Sequence, residues 1–209
     1  MEIAAVARAR GYPWHAVAPD PSPRADVDAA IAAGAVGVVA YGSNASPVVL
    51  RRKLGERSAA AVLATPVVLP DTDVVFSAHV SRHGAIPATI VPWPGAEVDA
   101  WLLAVPPGAI DALDATEPNY VREDLDPAHL AHHAYVSRHG PLRVGGHPVA
   151  LADVPARGRT LRALTETEML EQVRARLASN TTPDRFVLAQ IADESVRAAR
   201  SAALRRGLV

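Results

Sequence analysis

The chain has 209 residues, 49% of them hydrophobic, and a formal net charge of −1. It can therefore bury a full core, and neither disorder nor a polyanionic partner is implied. Aromatic residues make up only 4%, which argues against a stacking surface for nucleic acid, and the absence of cysteine excludes disulfides, thiolate nucleophiles and Cys-ligated metal.

Met1 to Arg10 is a short Ala-rich segment without the apolar core of a signal peptide, and no run is long enough to span a bilayer. A single cytoplasmic domain over residues 1–209 is the expectation. The basic residues are arginines apart from Lys53, which reads as compositional bias and not as a binding patch. Gly11 to Arg24, with several prolines and Trp14, reads as an irregular surface arm, and Asp26 to Ala33 as a short helix.

The stretch that organises the chain comes next. Val36 to Ala40 is an unbroken apolar run, as expected of a strand covered on both faces. Tyr41-Gly42-Ser43-Asn44 breaks it with residues that tolerate tight turns. Ser46 suits an N-cap, Pro47 the first helical position, and Gly55 the stop after Leu50 and Leu54. A strand that delivers such a loop onto a helix start aims backbone N–H groups at one spot and favours an anion there. An ordinary strand-to-helix connection has the same pattern.

Downstream, Ala59–Leu69 and Asp73–Val80 read as strands separated by a turn at Pro70-Asp71. Ile86–Val91 and Val98–Val105 read as two more, joined by Pro92-Trp93-Pro94-Gly95. Pro106-Pro107-Gly108 opens a short helix with Ile110 and Leu113 facing the core. Pro118 disfavours helical geometry just before it, so this helix should end by Glu117 and leave that residue on a turn. Part-burial of a carboxyl there would raise its pKa towards neutrality and suit it to proton transfer; a solvated loop glutamate is the alternative. Asp111, Asp114, Glu123 and Asp124 compete for the role.

Tyr120–Leu125, His133–Ser137 and Val149–Leu151 read as further strands. Val80-Ser81-Arg82-His83-Gly84 is echoed by Val136-Ser137-Arg138-His139-Gly140; two similar strand-end turns is the preferred reading, with Arg82 or Arg138 at a site mouth as the other. Thr165-Glu166-Thr167-Glu168 is a capping box, with Leu164 and Met169 as its staple. Leu170, Val173 and Leu177 line the helix it starts. A second helix begins at Thr182-Pro183 and carries Phe186, Ile191 and Val196. Their stripes should pack on each other and the sheet; a dimer surface is the alternative.

Taken together, Tyr41-Gly42-Ser43-Asn44 ending a strand, then Pro87-Ala88-Thr89-Ile90-Val91-Pro92, then Leu113-Asp114 leading to Glu117 and Tyr120-Val121-Arg122 resemble the γ-glutamylcyclotransferase-like family. The resemblance runs over residues 36–125. It implies an α+β fold, a small mixed β-barrel with surrounding helices, to which residues 160–209 add a C-terminal helical pair. It implies Glu117 as the proton-handling residue and a substrate cradle of Tyr41, Gly42, Ser43, Asn44, Ala45 and Ser46. The reaction implied is internal cyclisation of a small γ-glutamyl compound to 5-oxoproline, with no cofactor and no metal. Ala45 replaces a frequent leucine of the family and Pro118 a frequent glycine, which bears on pocket shape.

Other classes are weighed against it. His129, His132 and His133, with His139 and His147, could be metal ligands, but they read better as exposed loop histidines. Ser43 as a hydrolase nucleophile lacks the Gly-x-Ser-x-Gly elbow. A non-catalytic member of the same fold, binding a small carboxylate or a protein, is the main alternative.

Overall fold

The computed structural model describes residues 2–14, 18–125 and 132–207. In chain order it contains α1 (Glu2–Arg10), α2 (Arg24–Ala32), β1 (Val36–Ala40), a 3-10 turn (Ser43–Ala45), α3 (Pro47–Leu54), α4 (Glu56–Ala60), β2 (Leu63–Phe76) and β3 (Ala88–Val105). There follow α5 (Pro107–Ala115), β4 (Tyr120–Asp124), β5 (His133–Ser137), the short strands β6 (Arg143–Val144), β7 (His147–Pro148), β8 (Ala150–Leu151), β9 (Ala156–Arg157) and β10 (Ala163–Leu164), and the helices α6 (Glu166–Leu177), α7 (Pro183–Ala192) and α8 (Glu194–Arg205).

The apolar run Val36–Ala40 is a central strand, antiparallel to β3 with Val36 opposite Val105, and parallel to β5 with Val38 opposite His133. Both faces are covered. On β3, Leu102 packs with Phe76, Met169 and Phe186, while Leu103 packs with Leu50, Ile110 and Leu113 beneath α3 and α5. Alternate residues of one strand thus feed two cores, which is why its sequence lacks polar alternation.

Four strands were expected where the chain builds two long ones. β2 and β3 pair without a break in strand identity from Leu63 opposite Ala104 to Phe76 opposite Ala88, with a register shift between Pro70 and Thr72. Pro70-Asp71 and Pro92–Gly95 are the two sides of that irregularity and not hairpin turns. Asp71 adopts φ 48° and its carboxylate accepts the N–H of Gly95, itself at φ 82°. Turn-forming residues opposite one another bend a ladder as a bulge. The actual connection is the 77–87 segment, which therefore projects from the end of the hairpin.

The strands form an eight-stranded mixed sheet in the order β10-β8-β2-β3-β1-β5-β4, with β9 on β3. Its terminal strands, β10 and β4, do not pair, so the sheet is not closed: the structure bears out a large mixed sheet with surrounding helices, and not the small mixed barrel. The bend carries the end of β2 to the exit of β5. There Ala78 N–H donates to Gly140 O (2.9 Å), Leu142 N–H to Phe76 O (2.7 Å) and Ser137 N–H to Thr89 Oγ1 (3.1 Å). These are isolated bonds with one bridge, Ser77 to Pro141, and among the described residues no ladder closes the circle.

The C-terminal part also departs from expectation. Thr165 and Glu168 form the capping box, but the second predicted helix is split in two by Asp193, whose Oδ1 accepts the N–H groups of Ser195 (2.8 Å) and Val196 (3.3 Å) to cap α8. An aspartate satisfies orphan N–H groups at a helix start better than it serves a helix interior. The N-terminal α1 joins this group through Val6 and Ala9, so residues 2–10 are structural helix. Among the described residues no helix is long and apolar enough to cross a membrane.

At the first turn of α6, the side chain of Glu166 is fully buried. Its Oε1 accepts Ile86 N–H (2.7 Å) and its Oε2 has no hydrogen-bond partner. Burial, the largest influence, raises its pKa well above 4.5; the Ile86 bond opposes this and Asp153 adds to it. A raised folded-state value means that this group's share of stability is complete below pH 4.5 and is lost as pH climbs through the folded value. Glu166→Gln removes that loss. The variant should melt above the parent at pH 7.5, by an amount on the order of 1 kcal/mol or more, and the gap should narrow towards pH 5 in thermal scans at both pH values.

Candidate active site

β1 ends at Ala40 and the chain turns at once into the 3-10 segment. Ala45 N–H donates to Gly42 O (2.9 Å) and Ser46 N–H to Ser43 O (3.1 Å). The turn uses these two amides itself. Ala45 and Ser46 are buried and lie off the cavity wall, whereas Tyr41, Gly42, Ser43 and Asn44 line it. Ser46 is the N-cap residue of α3 without a side-chain capping bond. Of the six residues expected to form the cradle, four line the cavity.

The cavity has a volume of about 390 Å³. Glu117 stands on its wall. α5 stops at Ala115, Glu117 N–H closes a turn on Asp114 O (2.9 Å), and Tyr120 N–H bonds Glu117 O (3.0 Å). The side chain is 13% exposed. Its Oε1 accepts a hydrogen bond from Asn44 Nδ2 (2.9 Å) and is in ion-pair contact with Lys53 Nζ, which also donates to Asn44 Oδ1 (2.7 Å). Both contacts converge on Oε1, and Oε2 carries no hydrogen bond to a described residue. Glu117 and the Tyr41–Asn44 loop therefore meet across one cavity.

The sequence argument for Glu117 relied on burial alone; the structure adds a counter-ion. Lys53 arrives because Val49, Arg52 and Lys53 share one face of α3, at helical spacings of three and four, while Leu50 and Leu54 face the core beneath. The only lysine in an arginine-rich chain was the available signal. None of the rival carboxylates Asp111, Asp114, Glu123 and Asp124 lines the cavity, and Asp111 is exposed. Asp114 accepts from Arg122 Nε and Nη2 (3.1 Å each) and from Tyr135 Oη (2.6 Å), while Glu123 and Asp124 are exposed, the latter paired with His133 Nδ1 (2.6 Å).

Three tyrosines fix the cavity floor. Tyr12 Oη accepts Ala88 N–H (2.9 Å), Tyr120 Oη donates to Ala88 O (2.9 Å), and Tyr41 Oη donates to Tyr135 O. Burial, first among the causes, pushes the pKa of all three phenols upward, so they remain protonated. Tyr12 and Trp14 come from the segment expected to be a surface arm. Arg8 of α1 stacks 5.1 Å from the Trp14 ring centroid at the mouth of the same cavity.

The 77–87 segment supplies the opposite wall, and it brings the sequence echo together. Ser137 Oγ accepts His139 N–H (3.1 Å) and lies 2.6 Å from Ser77 Oγ, which lies 2.7 Å from His79 Nδ1. The two hydroxyls and the His139 N–H thus form one buried chain that ends on His79 Nδ1 and fixes the orientation of the ring. His79 lines the cavity, and its pKa is lowered to about 3 by burial and by neighbouring His139 and Arg205. The imidazole is thus neutral at ordinary pH. Ser77 is fully buried behind it and does not line the cavity, so the pair is no nucleophile and base. Of the two echoed arginines, Arg82 lines the cavity, whereas Arg138 is held to Tyr120 O (3.1 Å) outside it.

Among the described residues Ser43 makes no hydrogen bond to a histidine. His129 lies outside the described residues, and among the described residues no group of three His, Asp or Glu side chains is arranged for a metal. The reading of the basic residues as mere compositional bias is corrected here, since Arg8, Arg52, Lys53 and Arg82 surround one cavity.

No protein-family model matches the chain, and no curated protein does. Among solved structures it is similar to one described as "Gamma-glutamyl cyclotransferase", at 18% identity and a TM-score of 0.41, with 49% of this chain and 66% of that chain covered.

Proposed function

We propose that this cavity cyclises γ-glutamyl compounds to 5-oxoproline. The observation that carries the reading is the Glu117 carboxylate bonded to Asn44 of the strand-ending loop, inside a cavity of substrate size. In this reading the curled sheet corresponds to the mixed barrel of the γ-glutamylcyclotransferase-like family, with Glu117 as its acid–base residue and Tyr41–Asn44 as its cradle.

The chemistry needs little beyond pose and proton transfer. The substrate's α-ammonium gives a proton to Glu117 Oε2, and the amine nitrogen attacks the γ-carbonyl carbon. A C–N bond closes the five-membered ring, Glu117 returns the first proton to the departing nitrogen as its bond to that carbon breaks, and the ring nitrogen gives up a second proton, which Glu117 passes to the released amine so that it leaves as an ammonium. Atoms and charges then balance without water. Nucleophile and electrophile belong to one molecule, so a loop that imposes the folded-back conformation supplies most of the acceleration. The Ser43 and Asn44 amides on the cavity wall are the neutral donors available to the carbonyl oxygen as it gains charge. Incubation with a panel of γ-glutamyl amines, amino acids and peptides should release 5-oxoproline from at least one member. A panel that yields none, with the protein folded, overturns the reading.

One observation favours a binding-only protein, namely that Lys53 and Asn44 already occupy Glu117 Oε1. That alternative predicts saturable binding with the ligand recovered intact. In the catalytic reading Lys53 positions the carboxylate: in the folded fraction Lys53→Met lowers kcat about 10- to 100-fold and Lys53→Arg restores part of it, while Lys53→Met also lowers Tm because it leaves a shielded carboxylate without its counter-ion.

A further inference from the structure

The cavity is charged out of proportion to the reaction proposed for it. Among the described residues that line it, four cations, Arg8, Arg52, Lys53 and Arg82, face a single carboxylate, Glu117. Lys53 is the partner of Glu117, but among the described residues no carboxylate forms an ion pair with Arg8, Arg52 or Arg82. Arginines elsewhere, such as Arg10, Arg24, Arg157 and Arg174, do find acidic partners. The three guanidiniums also feel one another. The pKa of Arg8 is lowered by burial and then by Arg52 and Arg82, and that of His83 falls to about 4 through burial and then Arg8, Arg82, Arg52 and Lys53. His83 and His79 are neutral there, so the imidazoles add no charge. Like charges gathered around a cavity without counter-ions destabilise the empty protein and favour an anionic occupant.

Position decides which part of the ligand these cations meet. Glu117 and Lys53 are the shielded pair, with side chains 13% and 17% exposed, whereas Arg52 and Arg82 are exposed. The reacting end of a γ-glutamyl compound must lie against Glu117, so its departing portion extends towards Arg52 and Arg82. The described cavity residues carry three net positive charges, four cations less Glu117. The substrate's α-ammonium and α-carboxylate cancel, so each carboxylate on the departing portion neutralises one of the three, and two carboxylates neutralise more than one or none.

We infer that the preferred substrate is a γ-glutamyl compound whose leaving group is an acidic, dicarboxylic amino acid, held at the mouth by Arg8, Arg52 and Arg82. This rests on the cyclisation reading and deepens it. Guanidiniums match carboxylates in pairs of parallel bonds, and an exposed mouth leaves that charge sensitive to salt.

The test compares γ-glutamyl-glutamate, γ-glutamyl-alanine and γ-glutamyl-methylamide, whose leaving groups carry two, one and no carboxylates. Both kcat/KM for 5-oxoproline release and Kd by calorimetry are measured. The expected order follows the carboxylates, with about tenfold per added charge at low salt and a ratio that shrinks as salt rises. In Arg52→Gln/Arg82→Gln the ratio between the first and last substrates should fall to about twofold. Turnover of all three at similar kcat/KM overturns the inference and leaves cyclisation standing. The charge-ordered Kd series without any 5-oxoproline upholds the anion preference and removes the reaction. A flat Kd series, or a preference that survives the double variant, overturns the assignment to these arginines.

Discussion

Glu117→Gln should lower 5-oxoproline release by about 10²- to 10⁴-fold while leaving the protein folded. The amide is nearly isosteric. Its Oε1 can still accept the Asn44 Nδ2 bond and the Lys53 ammonium, so the triangle that anchors the turn persists. What is lost is the ability of the second atom to take a proton from the substrate's α-ammonium and return it to the departing nitrogen. The deficit should therefore fall on kcat, with KM within a few-fold, because the donors that hold the carboxylate of the substrate are untouched. Retention of more than about a tenth of the parent rate would remove Glu117 from the chemistry. The double variant Lys53→Met/Glu117→Gln adds a second check. If Lys53 acts only through Glu117, the double loss equals the Glu117→Gln loss, since residues working as one unit are not additive.

The parts of this site that could be read in advance are those determined by local chain chemistry. An apolar run interrupted by Tyr-Gly-Ser-Asn and followed by Ser-Pro dictates strand, turn and helix within a dozen residues, and Pro118 dictates where α5 must stop. Those two local statements place Asn44 and Glu117 each on its own turn; that they bond each other is tertiary. The cationic mouth was out of reach for the same reason. Arg8 comes from an N-terminal helix, Arg52 from α3 and Arg82 from the hairpin connection, and only packing brings those three segments together. Lys53 was half-legible, since its helical register with Val49 follows from sequence but the direction of that face does not. The bend of the long hairpin misled for a different reason. Proline and aspartate mark a turn or a bulge with equal strength, and the choice depends on whether the strands beyond them still find one another. Here Val74–Phe76 and Ala88–Ile90 do, so the ladder resumes and the turn moves outward to residues 77–87. Without that outward shift, His79 and Arg82 would not reach the cavity.

Arg159→Ala should be the most destabilising single exchange of a charged residue, at about 3–5 kcal/mol in urea denaturation. Asp73 sits on β2 just past the bulge with no solvent exposure, and its carboxylate is bound by Arg159 through Nε (3.0 Å to each oxygen) and Nη2 (2.8 Å). Arg159 is only 12% exposed and also donates from Nη2 to Val154 O (3.1 Å), which ties the β8–β9 segment over the bend. The approach of this segment is close. Gly158 turns at φ 63°, and a Cβ there would lie 2.1 Å from Gly95 O, so the backbone of the clamp rests directly on the bulge it braces. Removal of the guanidinium strands a buried carboxylate, and that uncompensated charge, more than the lost attraction, accounts for the predicted cost. The distinction can be measured. In Asp73→Asn/Arg159→Met both charges are gone and the volumes are nearly kept, so most of the loss should be recovered, because a buried ion pair replaced as a unit is often close to neutral. A double variant as unstable as Arg159→Ala would mean that the bonds to the β8–β9 backbone, and not the charge left on Asp73, hold the bend in place. Neither residue lines the cavity, so in both variants the kcat of the folded fraction should match the parent, which separates the brace of the hairpin from the chemistry it positions.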